Sequence, residues 1–93
     1  MNIDEFEASV LAQGYSPTLC IERPVGYSLG EHQHSFDACA LITTGEITLV
    51  VDGVSRTYAA GEIFRLPART VHLESAGPAG VSFLSARREI SAP

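Results

Sequence analysis

The chain has 93 residues, 45 % of them hydrophobic and 18 % charged, which fits one globular domain and excludes a disordered chain. A domain of this size buries only about 60–65 % of its unfolded surface, so most of the sequence must serve a single core. The formal charge is −5, from 11 acidic residues against six basic ones that are all arginine, a balance that argues against gripping nucleic acid or an anionic membrane surface.

Residues 2–13 predict a short helix. Asn2 serves as N-cap, with Glu5 three residues on as its partner in a capping box. Ile3, Phe6, Val10 and Leu11 share one face at helical spacing, and Gly14 is the stop. Such a stripe is ordinarily a packing lid. The first 17 residues are too few to hold a helix-turn-helix.

From Thr18 the pattern changes to period two. Leu19 to Arg23 predicts a strand stopped by Pro24, and Val25, Tyr27 and Leu29 alternate with small or polar residues. Gly30-Glu31 reads as a turn before a long extended run from His32 to Thr44. Gly45-Glu46 then reads as a turn into Ile47–Asp52. Asp52-Gly53 is the strongest hairpin signal, because a two-residue loop of the primed type needs positive φ. Val54 to Tyr58 returns, Ala60-Gly61 turns, and Glu62 to Leu66 ends at Pro67, which cannot donate to a ladder. Val71 to Ser75 precedes the breaker cluster Gly77-Pro78-Ala79-Gly80, and Val81 to Arg87 is the last strand. About eight short strands between turn signals is the plan of a sandwich or a closed barrel.

No apolar run approaches the roughly 18–20 residues of a membrane span. The acidic start Met1-Asn2-Ile3-Asp4-Glu5 lacks the plan of an export signal, so the expected location is the cytoplasm. Cys20 and Cys39 are too few for a disulfide framework and are expected as buried, inert free thiols. Phe36, Leu41, Ile42, Leu49, Tyr58, Phe64, Leu66 and Phe83 are candidates for the core or a pocket wall.

The three histidines carry the functional signal. His32 and His34 lie at i and i+2 on an extended run and so point to the same face. His72 comes from a separate strand, after a Pro turn. Two imidazoles from one strand and one from another can build a metal site, and imidazole suits iron, zinc, nickel and copper. A core histidine satisfied by an ordinary hydrogen bond is the plainer alternative for any one of the three.

These residues resemble the two motifs of the cupin superfamily. The first motif is a Gly, five residues, His-x-His, a Glu after three or four more, and a Gly after a further six. Gly26, His32, His34 and Gly45 stand at those positions. The second is a Gly, five residues, Pro-x-Gly, two residues, a His, three residues and an Asn, matched here by Gly61, Pro67 and His72. The resemblance covers roughly residues 18–88 and implies an all-β double-stranded β-helix, or jelly-roll barrel, with a short N-terminal helix. The expected division is a helix and lead-in over 1–17, the cupin-like barrel over 18–88 and a flexible tail over 89–93. It also implies a divalent transition metal (Fe, Zn, Ni, Mn or Cu) held by His32, His34 and His72.

The sequence departs from the motifs at three positions. Ala38 replaces the Glu, Arg69 the turn Gly and Ala76 the closing Asn. Without the Glu, two carboxylates are candidates at the metal, either as direct ligand or as proton carrier. Asp37 is adjacent to the vacant position and is favoured as the direct ligand, although it needs a local bulge to turn inward. Glu74 has inward parity from His72 and is favoured as a cavity carboxylate. Arg65 and Arg69 are candidates to clamp a substrate carboxylate, and Arg87-Arg88 reads as a solvated face.

The expected function is a small metal-binding protein, acting as a metal-dependent oxygenase, isomerase or lyase on a small polar molecule. The alternative is a non-catalytic module that binds or senses a small molecule, with the metal structural or absent. Similar small cupins commonly pair as homodimers, and a homodimer is expected here, with no nucleic-acid or membrane partner.

Overall fold

The computed structural model describes residues 1–90. The helix α1 (Ile3–Ala12) begins as its capping signals require. The Glu5 N–H donates to Asn2 Oδ1 at 2.8 Å, and the Asn2 N–H donates to Glu5 Oε1 at 3.1 Å. Only Phe6 and Val10, one turn apart, are buried. Ile3 and Leu11 stay 47 % and 53 % exposed, so the docked stripe is narrower than the apolar pattern predicts.

Six strands follow: β1 (Leu19–Arg23), β2 (Ser28–His32), β3 (Phe36–Val51), β4 (Val54–Ala59), β5 (Ile63–Leu66) and β6 (His72–Glu89). They form one sheet in the order β1-β6-β3-β4, with β2 also on β6 and β5 also on β3. Its spine is the antiparallel pair of long strands, running in register from Phe36↔Glu89 to Val50↔Leu73. The hairpin at Asp52-Gly53 forms as read, with φ of 50° and 76°, and joins β3 to β4.

Three expected breaks lie inside strands instead. Gly45-Glu46 and the cluster at 77–80 are register shifts in the β3–β6 ladder, where Gly45 faces Val81 but Ile47 faces Ala76. Gly45 takes φ +70°, and a Cβ there would collide with the Gly80 carbonyl, so the two long strands touch through backbone at this bend. Gly30-Glu31 is a shift within β2, between Leu29↔Glu74 and His32↔His72. The extra residue brings both Leu29 and His32 to the same cavity. Bulged strands bend and twist more, which is how one sheet can fold over on itself.

The two faces of the sheet carry two apolar clusters. Inside lie Ala38, Ala40, Ile42, Ile47, Leu49, Phe64 and Phe83 with their neighbours. Outside, Cys39, Leu41 and Ala86 pack under Phe6, Val10 and Tyr15. This explains why every residue of β3 from Ala38 to Ile42 is buried: α1 covers the face that does not point into the barrel. Cys39 is therefore buried as expected, but Cys20 is exposed, because it lies outside the cluster that α1 covers. Glu89 pairs with Phe36, and residues 91–93 of the expected tail lie outside the described residues. No described helix is long and apolar enough to cross a membrane.

Candidate metal centre

His32 ends β2 and stands opposite His72, the first residue of β6. His34 sits in the link to β3 and is tied to the turn before His72 by a bond from the Arg69 N–H to the His34 carbonyl at 2.7 Å. Arg69 takes φ +65°, a conformation L side chains rarely adopt, which accounts for the motif's glycine there. Two pieces of chain distant in sequence, 32–34 and the start of β6, thus meet at one point. One nitrogen from each of the three rings lies within 4.8 Å of the others.

The rings are oriented by backbone. His32 Nδ1 is 2.7 Å from the Gly30 carbonyl and His72 Nδ1 is 2.8 Å from the Thr70 carbonyl. A carbonyl only accepts, so Nδ1 carries the proton in each ring and, in the neutral ring, the lone pair sits on Nε2. His72 is 1 % exposed, and its Nε2 has no hydrogen-bond partner. A buried polar atom without a partner is costly, and three converging lone pairs suit a cation. Burial, then the neighbouring His72 and His32, hold His34 below its usual 6.5 and so favour the neutral, ligating form. Phe36 stacks on His34 at 4.9 Å between centroids and fixes its plane.

Glu74 is the carboxylate at this cluster. Its Oε1 lies 3.1 Å from His32 Nε2 and 3.5 Å from His72 Nε2. Two donors bound at about 2.1 Å to one ion are separated by roughly 3.0–3.4 Å, so these spacings fit a shared metal. The Tyr27 hydroxyl donates to the other oxygen, Oε2, at 3.0 Å and holds the carboxylate in place. Burial raises the Tyr27 pKa, which keeps that donor protonated.

Asp37 corrects an expectation. No bulge turns it inward. Its Oδ1 accepts from the Ala68 N–H at 2.8 Å, and its Oδ2 accepts from Arg88 Nε and Nη2 at 3.1 and 2.9 Å. It lies in a groove with Gln13 and Tyr15, on the α1 side of the sheet. Ala38, by contrast, lines the histidine cavity and brings no donor to it.

That cavity, of about 150 Å³, is walled by Ile21, Leu29, Phe64, Leu66 and Phe83. A wider open groove of about 550 Å³ beside the start of α1 contains neither histidine nor arginine, so the site belongs at the imidazoles. The expected clamp residues are elsewhere. Arg65 is exposed and reaches toward Gln13, and Arg69 lies in a second groove with Gln33, His34 and Ser35, which shares only His34 with the histidine cavity. The arginines that line the cavity are Arg23 and Arg87. Sequence reasoning assigned neither to the cavity, although strand parity was available as a signal; Arg87 is exposed, as the solvated-face reading expects, and also borders the cavity. Phe83, Ser85 and Arg87 alternate inward on β6, while Arg88 faces Asp37 on the other side.

The family model for the cupin domain matches residues 20–85. The chain belongs to the cupin family. Solved structures agree. A cupin superfamily protein from Desulfitobacterium hafniense is 21 % identical with a TM-score of 0.68, over 76 % of this chain and 64 % of that one. A predicted oxalate decarboxylase from Thermotoga maritima is 19 % identical with a TM-score of 0.70, over 88 % and 73 %. A Cupin 2 conserved barrel domain protein from Salinispora arenicola is 25 % identical with a TM-score of 0.66, over 75 % and 60 %. The chain spans less than two thirds of the length of the Desulfitobacterium and Salinispora proteins. No curated protein matches the sequence.

Proposed function

We propose that this cupin binds a divalent transition metal (Fe, Zn, Ni, Mn or Cu) through His32, His34 and His72 and transforms a small polar molecule there. The observation that carries the reading is the buried, unpartnered Nε2 of His72, aimed at two further imidazoles. Glu74 is proposed as the fourth donor, taking over from β6 the role that the motif's Glu would fill at Ala38 on β3. The metal would supply Lewis-acid activation of a bound oxygen atom. The chain's own residues orient and shield: Gly30 and Thr70 carbonyls set the ring tautomers, Tyr27 holds Glu74, and the apolar wall limits water.

Elemental analysis of untagged protein tests this. One metal per chain is expected, and it should be lost in His34→Ala. Equal metal content in both would remove the site.

A binding module is the second reading, supported by the largely apolar wall of the cavity. Turnover of a screened substrate by the metal-loaded protein separates the two. A cytoplasmic location is proposed on the strength of the two unbridged thiols. A homodimer is proposed through an edge strand, β1 or β4, where Leu19 and Val54 are each more than 60 % accessible. Sedimentation as a single chain at micromolar concentration would exclude the homodimer.

A further inference from the structure

Arg87 and Arg23 stand in the wall of the histidine cavity with no carboxylate within salt-bridge distance among the described residues. Among the described residues only Arg88, of the six arginines, is paired with a carboxylate, by two nitrogens on Asp37, and Arg87 is exposed, so what sets Arg87 and Arg23 apart is their place at this cavity. Arg87 instead lies over the Phe36 ring, 4.3 Å from its centroid, and Phe36 in turn stacks on His34. Arg23 lies over Tyr27, 5.2 Å from its centroid, and uses one nitrogen on the Glu22 carbonyl. Both guanidinium groups are thus held by aromatic rings that themselves touch or flank the cluster. Stacking restricts each plane while leaving its N–H edge available.

The single carboxylate in the cavity wall, Glu74, is already committed to Tyr27 and the imidazoles. With two guanidinium groups against this one carboxylate, the cavity wall is net positive before any metal is added. A guanidinium edge prefers a planar carboxylate, which it binds through two parallel hydrogen bonds. We propose that the molecule taken by this cavity is a small carboxylate whose anionic end is received by Arg87, with Arg23 adding charge at the wall. This deepens the metal-centre reading and takes its cavity as given. Parity on β6 is what makes Arg87 the receiving residue, since Phe83 and Ser85 beneath it line the same cavity.

The test uses the full chain with and without stoichiometric zinc, titrated with succinate or with its neutral isostere succinamide and followed by backbone amide shifts. Zinc content is measured on the same samples. Succinate is expected to bind at least tenfold more tightly than succinamide. Arg87→Gln should bring succinate to the level of the amide while leaving zinc content unchanged, and Arg23→Gln should give a smaller loss. Equal binding of acid and amide by the wild type, or succinate binding undiminished in Arg87→Gln, overturns the proposal. Failure of zinc to bind, with the acid preference and its loss in Arg87→Gln both present in the metal-free protein, would overturn the metal reading and leave the carboxylate site standing.

Discussion

Tyr27, Glu74 and His32 form a chain of polar contacts that ends at the imidazole cluster, and each link sets the next. Removing the Tyr27 hydroxyl frees Glu74 to rotate, so Tyr27→Phe should weaken metal affinity about tenfold or more. Glu74→Gln should weaken it further, measured by competition against a chelator. Wild-type affinity in both variants would mean that Glu74 is no donor. Asp37 works on the other side of the sheet. The Ala68 N–H and the Arg88 guanidinium hold its carboxyl below the ordinary 3.8. A carboxylate depressed in the folded state contributes stability that is present above 3.8 and is lost as pH falls through the lower folded value. The gap in urea midpoint between wild type and Asp37→Asn should therefore be present at neutral pH and shrink in acid below about 3.8. A gap that stays constant in acid would show that the pairing contributes nothing. At this scale the histidines were legible from the motif spacing; the expected extended run from His32 is broken at residues 33–35, so His34 reaches the cluster from the link between β2 and β3 and not by strand parity. Strand parity points Asp37 outward, and the structure follows parity and not the bulge that a ligand role for Asp37 required.

The long strands were harder to read. Asp52-Gly53 was plain because a type I′ hairpin needs positive φ at both central positions, which this pair tolerates well. Gly45-Glu46 and Gly77–Gly80 carry the same turn chemistry yet are bends within continuous strands. Local composition cannot tell a turn from a bulge, since both require a glycine in the left-handed region, and only the partner strand decides. Gly45→Ala should cost about 2–4 kcal/mol, from the collision with the Gly80 carbonyl and the strained φ together, read as a lowered urea midpoint. Arg69→Gly should act oppositely. Relieving the left-handed arginine is worth about 1 kcal/mol, seen as a higher midpoint with metal binding retained. No gain in stability would mean that the turn is already relaxed around Arg69. Cys20 was misjudged because the extent of α1's cover is a tertiary property that no pattern within β1 reveals.

For the whole molecule, metal binding and folding are one linked equilibrium, because the three imidazoles come from segments that meet only in the native fold. Zinc at about 100 times its dissociation constant should add about 2.7 kcal/mol to stability, seen as a thermal midpoint that rises with zinc concentration. The midpoint of His72→Ala should not respond. Equal responses would place the zinc elsewhere. The helix gives a second handle on the intact protein. Cys39 is 0 % exposed beneath α1, with its thiol pushed up in pKa by burial, whereas Cys20 is open to solvent. An alkylating reagent can meet Cys39 only after α1 lifts away, while Cys20 reacts at once in the same tube. The ratio of the two modification rates is therefore a built-in clock for helix undocking, and it reports local opening in free-energy units without any label or engineered probe.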